Sequence, residues 1–433
     1  MKRKWAPALA GATALAIVSS GALADTITVV TSFPKELTTA HKAAYEKKHP
    51  QDKVEILNKG TSAGIAYVRE QPAGSRAEIF WASAPDAFEV LAGENLLQKV
   101  DIPSQGIPDK IGSYPINDPE GLYRGQALAG YGFMWNTRYM QANKLPVPKE
   151  WSDLTKPVYF GHVATSSPSR SGTSHLTFET ILQGEGWDKG WTQILQISGN
   201  CAAITERSFG VPDGVQNGQF GIGIVIDFFG LAAKASGFPT EFAYPSVTAI
   251  VPANIAVVAG AKSPEGAKRF VQFTLSEEGQ KLLLDPKISR LPVLPTVYKQ
   301  APAGYPNPFD GKIQAKVNFD SNLSKSRYYL VSSLFDQVIT FRHKELTAAT
   351  KAIHDAEKRL GGRSNAQLEE ARKLAFTVPV TAQQAQDKAV LAVFAAKKGD
   401  DAALKRKTQL EEEWSSKARA NYVRAAELAN AAK

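Results

Sequence analysis

The alternation of short apolar runs with amphipathic stretches between Thr26 and Ala92 constrains the fold more than any other feature of the chain. Thr26 to Val30 reads as a strand, stopped by Thr31-Ser32-Phe33-Pro34, and Lys35 to Lys48 follows as a helix with Leu37, Ala40 and Ala44 or Tyr45 facing inward. Val54 to Leu57, Ala63 to Glu70, Glu78 to Ala82 and Pro85 to Ala92 repeat the strand-and-helix theme. Such alternation calls for a mostly parallel sheet covered by helices on both faces. In sheets of this kind ligands sit beyond the carboxyl ends of the strands. Those ends are Thr31-Ser32, Lys59-Gly60-Thr61-Ser62 and Ala82-Ser83-Ala84, small and rich in hydroxyls. Ser32, Thr61 and Ser83 are therefore candidate ligand contacts, although turn chemistry alone accounts for such residues as well.

Gly125 to Asn136 and Pro157 to Val163 give two further strand regions, and Phe220 to Asp227 gives an apolar strand in a second unit of similar style. Between them, Ser166-Ser167-Pro168-Ser169-Arg170-Ser171-Gly172-Thr173-Ser174 runs into the helix-like Leu176 to Leu182. Hydroxyls and a glycine just before a helix present backbone N–H groups at the positive end of the helix dipole, which is a geometry that binds phosphate or carboxylate. Ser169, Ser171, Gly172 and Thr173 are candidates for that contact, with Arg170 adding a bidentate charge-assisted one. The same residues also fit an ordinary helix N-cap followed by a solvated loop.

The first residues point to export. Lys2-Arg3-Lys4 precede an apolar run from Ala8 to Val18, and Ser19 to Ala24 ends in an A-x-A pattern, so a signal peptide over 1–24 cleaved after Ala24 is expected. The apolar run is too short for a membrane anchor. The single cysteine, Cys201, excludes an intramolecular disulfide framework, and no CxxC or HExxH spacing offers a zinc site. A net charge of +9 is concentrated in the tail, where Gly311 to Lys433 carries 22 basic against 14 acidic residues. Lys and Arg alternate there with Glu and Asp at helical spacings, so the tail reads as a solvated helical surface rather than a nucleic-acid site. No Walker sequence is present, and no acid pair is singled out as catalytic.

Ala253 to Val258 reads as a strand, Ser263-Pro264-Glu265-Gly266-Ala267-Lys268 starts a helix, and Ser276-Glu277-Glu278-Gly279-Gln280 followed by Arg290-Leu291-Pro292-Val293 completes a distinctive order. With the leader, this resembles the periplasmic solute-binding proteins of ABC importers. Within them it is similar to the extracellular solute-binding proteins grouped with ferric-ion binders and with the phosphoglycerate transport regulatory protein. The resemblance covers about Asp25 to Val297. It implies an α/β, two-lobed type II periplasmic-binding-protein fold that closes by hinge motion, with an inner-membrane ABC permease as partner.

Residue by residue, the resemblance places Ser171-Gly172-Thr173 in the turn that holds the synergistic anion in ferric-ion binders, and Asn200 and Ser208 in a region that lines the cleft. Ferric-ion binders typically close on the metal with adjacent tyrosines, and here that place reads Asp227-Phe228-Phe229. Phenylalanine offers no oxygen to a hard cation, which favours an organic anion over iron. Asp227 then accepts a ligand hydroxyl or pairs with an amine while Phe228 packs on the carbon skeleton; alternatively Asp227 caps a turn and both rings belong to the core.

The expected organisation is a lobe of 25–127 plus 250–310, a second lobe of 128–249, and a helical extension of 311–433. In the extension, Leu330, Leu334, Val338 and Phe341 mark a helix to about Leu360, stopped by Gly361-Gly362. Ser364-Asn365 cap a short helix to Phe376, and two more run over Thr381 to Lys397 and Asp401 to Ala431. Its expected role is a cover on one lobe, with a docking surface for a membrane sensor protein as the alternative. The expected function is capture of a small phosphorylated or phosphonate-bearing anion without catalysis, cofactor or metal, with ferric-ion capture as the rival and no nucleic-acid partner.

Overall fold

The computed structural model describes residues 25–103, 106–397 and 399–433, so the leader expected over 1–24 lies outside the described residues. The chain opens with β1 (Thr26–Thr31), α1 (Lys35–Lys48), β2 (Lys53–Asn58), α2 (Thr61–Glu70), β3 (Ile79–Ala82) and α3 (Pro85–Gly93). A hairpin of β4 (Lys110–Ile111) and β5 (Tyr114–Pro115) precedes the long β6 (Arg124–Asn136) and α4 (Thr137–Ala142). Then come β7 (Val163–Ser166), α5 (Gly172–Glu185), α6 (Trp187–Asn200), β8 (Cys201–Thr205), α7 (Gly210–Gln216), β9 (Ile222–Ile226), α8 (Asp227–Ala235) and β10 (Thr240–Ala243). The chain returns through β11 (Ile250–Val257), α9 (Pro264–Leu275), α10 (Glu277–Lys281) and β12 (Leu291–Pro292).

Strand β1 pairs in parallel with β2 and β3, as buried crossover units require. β11 lies antiparallel between β3 and β6. The 13 residues of β6 serve both halves of the sheet. Its first part, Arg124 to Gly130, pairs with β11, and Tyr131 to Trp135 pairs with β9, which runs parallel to β7. The changeover falls at Gly130, where a Cβ would stand 2.5 Å from Ile250 Cδ1 and 2.7 Å from Tyr244 Cε1. Only glycine lets the returning segment come this close.

One apolar cluster under the first half includes Val29, Ile79, Trp81, Ile255 and Phe270. A larger one joins Trp151, Phe178 and Trp191 of the second half to Leu330, Phe335, Ile353, Trp414 and Tyr422 of the C-terminal helices. These are α11 (Ser321–Val338), α12 (His343–Arg359), α13 (Ala366–Ala375), α14 (Lys388–Phe394) and α15 (Asp401–Ala431). The tail thus shares its core with the second lobe, and α11 also reaches the first. Tyr328 Oη lies 3.2 Å from Ser62 Oγ, Arg69 donates to Tyr329 Oη at 2.8 Å, and Ser324 Oγ donates to Asp86 at 2.7 Å. The expectation of a cover on one lobe is corrected accordingly.

Three local expectations are also corrected. The strand expected over Pro157 to Val163 is a 3₁₀ turn at Pro157–Tyr159, and the strand begins at Val163 after Gly161 takes φ +77°. The helix expected to run unbroken to Leu360 is interrupted at Thr340–Arg342, because packing of α12 on α6 takes the chain in a new direction. The helix expected over Thr381 to Lys397 is a 3₁₀ turn at Gln384–Gln386 and the short α14, started by Asp387, whose carboxylate accepts the Ala389 N–H. No helix among the described residues is long and apolar enough to cross a membrane.

Candidate ligand cleft

The carboxyl ends of β1, β2 and β3 face the N-terminus of α5 across the junction of the two halves. Ser171 caps α5: its hydroxyl accepts the Ser174 N–H at 3.2 Å, which leaves the N–H groups of Gly172 and Thr173 outside the helix's own ladder, at the positive end of its dipole. The Gly172 N–H reaches across to Thr61 Oγ1 at 3.3 Å, and Thr173 Oγ1 stands 3.3 Å from Ser83 Oγ. Ser166 and Ser174 hydroxyls bond beneath them, fixing the turn.

Ser32, Thr61, Ser83, Arg170, Ser171, Thr173, Ser208 and Phe228 line one cavity, closed down to about 10 Å³ between the two walls. Gly172 presents its backbone at the same place, where a Cβ would lie 2.6 Å from Ala84 Cβ. Arg170 sits at the rim, paired with Glu206 at 2.9 Å. Ser169 turns away and bonds to Ser167, whose hydroxyl donates to Asp336 of α11 at 2.7 Å. Neither a tyrosine nor a carboxylate lines this cavity among the described residues.

Asp227 and Asn200 lie elsewhere. Asp227 is buried at the start of α8, accepting N–H bonds from Gly130 and Phe228, each at 2.7 Å, and the Tyr244 hydroxyl at 2.9 Å. Burial pushes its carboxyl up to about 6 against those bonds and the charge of Arg290. It ties the β6 changeover to the returning segment instead of facing the cavity. Asn200 is held under α12, donating to Leu154 O at 2.8 Å and meeting His354 Nε2 at 2.9 Å.

Sequence reasoning missed the apolar wall and one cation. Phe33, Phe209 and Phe229 line the inner cavity beside Phe228, and Phe209, Phe228 and Phe229 continue into an outer groove of about 730 Å³ that also meets Lys35, Lys287 and Arg290. Arg290 had the look of a fold marker before Leu291-Pro292. An arginine followed by the apolar run Leu291 to Leu294 was the available signal, since such a group is rarely buried without purpose.

Residues 76–310 match the family described as bacterial extracellular solute-binding protein. The chain is 36% identical over 269 residues to the phosphoglycerate transport regulatory protein PgtC of Salmonella typhimurium, a match that spans 62% of this chain and 65% of that protein. Among solved structures, it resembles the fructose-6-phosphate-bound periplasmic binding protein AfuA from Actinobacillus pleuropneumoniae, with TM-score 0.66 and 19% identity over 73% of this chain and 99% of that one. Iron-bound HitA from Pseudomonas aeruginosa gives TM-score 0.59 and 18% identity over 71% and 98%. The fold is therefore the two-lobed type II periplasmic-binding-protein fold, carrying a C-terminal helical region.

Proposed function

The chain belongs to the bacterial extracellular solute-binding proteins, and we propose that it is an exported periplasmic receptor that captures a small phosphorylated or phosphonate-bearing metabolite and hands it to an ABC permease. One observation carries this reading: the capped N-terminus of α5 meets the hydroxyls of Thr61 and Ser83 across the cleft. Aligned N–H and hydroxyl donors at a helix N-terminus bind a phosphate group without needing a counter-charge. The phosphorylated sugar in AfuA and the name of PgtC point to the same ligand class.

The changeover in β6 and the Tyr244 to Ile250 return form the natural hinge, since both chain crossings lie there. Ligand favours the closed form only by binding it better than the open one, and contacts drawn from both walls supply that difference. The mechanism ends with closure; no bond is broken. Ferric-ion capture gains nothing from a cavity walled by serine, threonine, arginine and phenylalanine, because hard cations require anionic oxygens.

A thermal-shift screen against phosphate esters, phosphonates, dicarboxylates and ferric ion with phosphate tests the reading. The melting temperature should rise with a phosphate ester or phosphonate, and the rise should vanish in Ser171→Ala with Thr173→Ala. A shift confined to ferric ion contradicts it.

The seat of α11 on both lobes favours a second role, in which the C-terminal helices present lobe closure to a membrane sensor protein. Ligand-dependent capture of that sensor, weakened by charge reversal at exposed residues of α15, is the corresponding test.

A further inference from the structure

The cavity at the N-terminus of α5 and the groove outside it share four lining residues among those described, and all four are apolar. They are Pro34 at the start of α1, Phe209 just before α7, and Phe228 and Phe229 in the first turn of α8. The hydroxyls of Thr61, Ser83, Ser171 and Thr173 belong to the inner cavity alone. The charged side chains of Lys35, Glu36, Asp213 and Lys287 belong to the outer groove alone. Between the two lies a neck that offers no side-chain oxygen or nitrogen.

The rings of this neck are grouped and accessible. Phe228 and Phe229 stand with centroids 4.2 Å apart, and Phe209 meets Phe229 edge-on at 5.8 Å, with the two planes 77° apart. Arg207, which lines the inner cavity, lies over the Phe209 ring at 5.1 Å, so charge gives way to hydrocarbon at that ring. Phe209 and Phe229 are only half-buried, and Phe238, 41% exposed, extends the apolar wall along the outer groove. Rings left open to solvent side by side mark a surface that an apolar partner covers.

Continuity with the anion turn identifies that partner. The inner cavity, about 10 Å³ as it stands, leaves no room there for more than the anion, whereas the outer groove offers about 730 Å³. The rest of a solute anchored at α5 therefore leaves through the neck. Hydroxyls on the carbons next to the phosphate would lie against the rings and lose their water, and no carboxylate or side-chain amide lines the inner cavity among the described residues to replace it. An apolar body has no such hydrogen bonds to lose and covers the rings.

We infer that the neck formed by Pro34, Phe209, Phe228 and Phe229 is a subsite for an apolar body, so that the captured solute is an aryl or alkyl phosphate ester or phosphonate rather than a phosphorylated sugar or polyol. The inference deepens the phosphate reading and rests on it for the anchor at α5. The three rings fix the character of what the anchor carries.

Calorimetric titration of residues 25–433, and of the same chain with Phe229→Ala, against phenyl phosphate, fructose 6-phosphate and inorganic phosphate tests it. The two esters each carry six carbons on one phosphate and differ in whether that body is apolar or hydroxylated. The wild-type chain should prefer phenyl phosphate to fructose 6-phosphate by about tenfold or more, as expected when a ring leaves water for an apolar wall. Phe229→Ala should bring that ratio to within about threefold, and an unchanged ratio in the variant overturns the inference. Phenyl phosphate bound no more tightly than fructose 6-phosphate or inorganic phosphate by the wild-type chain also overturns it while leaving the phosphate reading intact, and this comparison needs no variant to fold. Binding of none of the three overturns both.

Discussion

Ser83 at the end of β3 and Thr173 in the first turn of α5 bring their hydroxyl oxygens to 3.3 Å across the cleft, although 90 positions separate them in sequence. Gly172 makes the neighbouring crossing to Thr61. The two halves of the molecule therefore touch through hydroxyls and backbone N–H groups, the same groups that an oxyanion would use. On the proposed function, an anionic solute replaces these weak mutual contacts with charge-assisted ones, and the energy difference drives closure.

Gly172→Ala should cost affinity rather than stability. Its Cβ would lie 2.6 Å from Ala84 Cβ and 2.8 Å from Thr61 Oγ1, both on the opposite wall. Overpacking of this kind costs about 1–3 kcal/mol, which appears as about a 5- to 150-fold loss of ligand affinity. The free chain escapes the clash by opening, so its melting temperature should stay near that of wild type. A drop in melting temperature without loss of affinity would place the clash inside one lobe.

Tyr328→Phe with Tyr329→Phe should weaken ligand binding by about 5–30-fold, the effect of losing two hydrogen bonds of about 0.5–1 kcal/mol each. These hydroxyls join α11 to Ser62 and Arg69 of the first lobe, while the rings keep their packing. Small-angle scattering should find the ligand-free variant more open than wild type. Identical affinity and scattering would mean that α11 moves with both lobes and senses nothing.

Arg327→Met should be the most destabilising of these changes. Arg327 donates twice to Glu179, each bond at 2.8 Å, with both side chains buried. Removing the arginine strands a carboxylate and costs about 3–5 kcal/mol, read from the midpoint of urea unfolding. Since α11 and α5 belong to the same core as Trp187 and Trp191, truncation of the tail should unfold the second lobe rather than release it. Soluble, ligand-binding protein ending at residue 310 would contradict this.

His41 should make the chain acid-sensitive. It is fully buried against Trp81, and burial lowers its pKa from 6.5 to about 4. As pH falls below 6.5 the unfolded chain takes up this proton before the folded one does. The stability present above pH 6.5 is then lost progressively toward pH 4, by about 3 kcal/mol at most. His41→Gln should flatten that part of the curve of unfolding free energy against pH; an unchanged slope assigns it to other groups.

Alternating strands and helices were legible because each hides a hydrophobic face with its own period, and the limits of α1 and α15 follow from the residues alone. The start of α5 was legible for a similar local reason: Ser171 is a helix cap wherever α5 packs. What stayed hidden depends on contacts distant in sequence. Asn200 is claimed by His354 of α12, a partner 154 positions away. The break between α11 and α12 follows from packing on α6, which no local propensity records. The burial of Arg290 beside Phe33 and Phe228, 4.0 and 3.7 Å from its guanidinium carbon, likewise joins residues far apart in the chain.

The most direct measurement is titration calorimetry of residues 25–433 with glycerol 3-phosphate, repeated on Ser171→Ala with Thr173→Ala. The account predicts one binding site per chain and a loss of about 10–100-fold in the variant, as expected for removal of hydroxyl donors from a charged acceptor. Equal affinity in both proteins, or heat released only with ferric ion, would contradict the claim that the N-terminus of α5 holds the ligand.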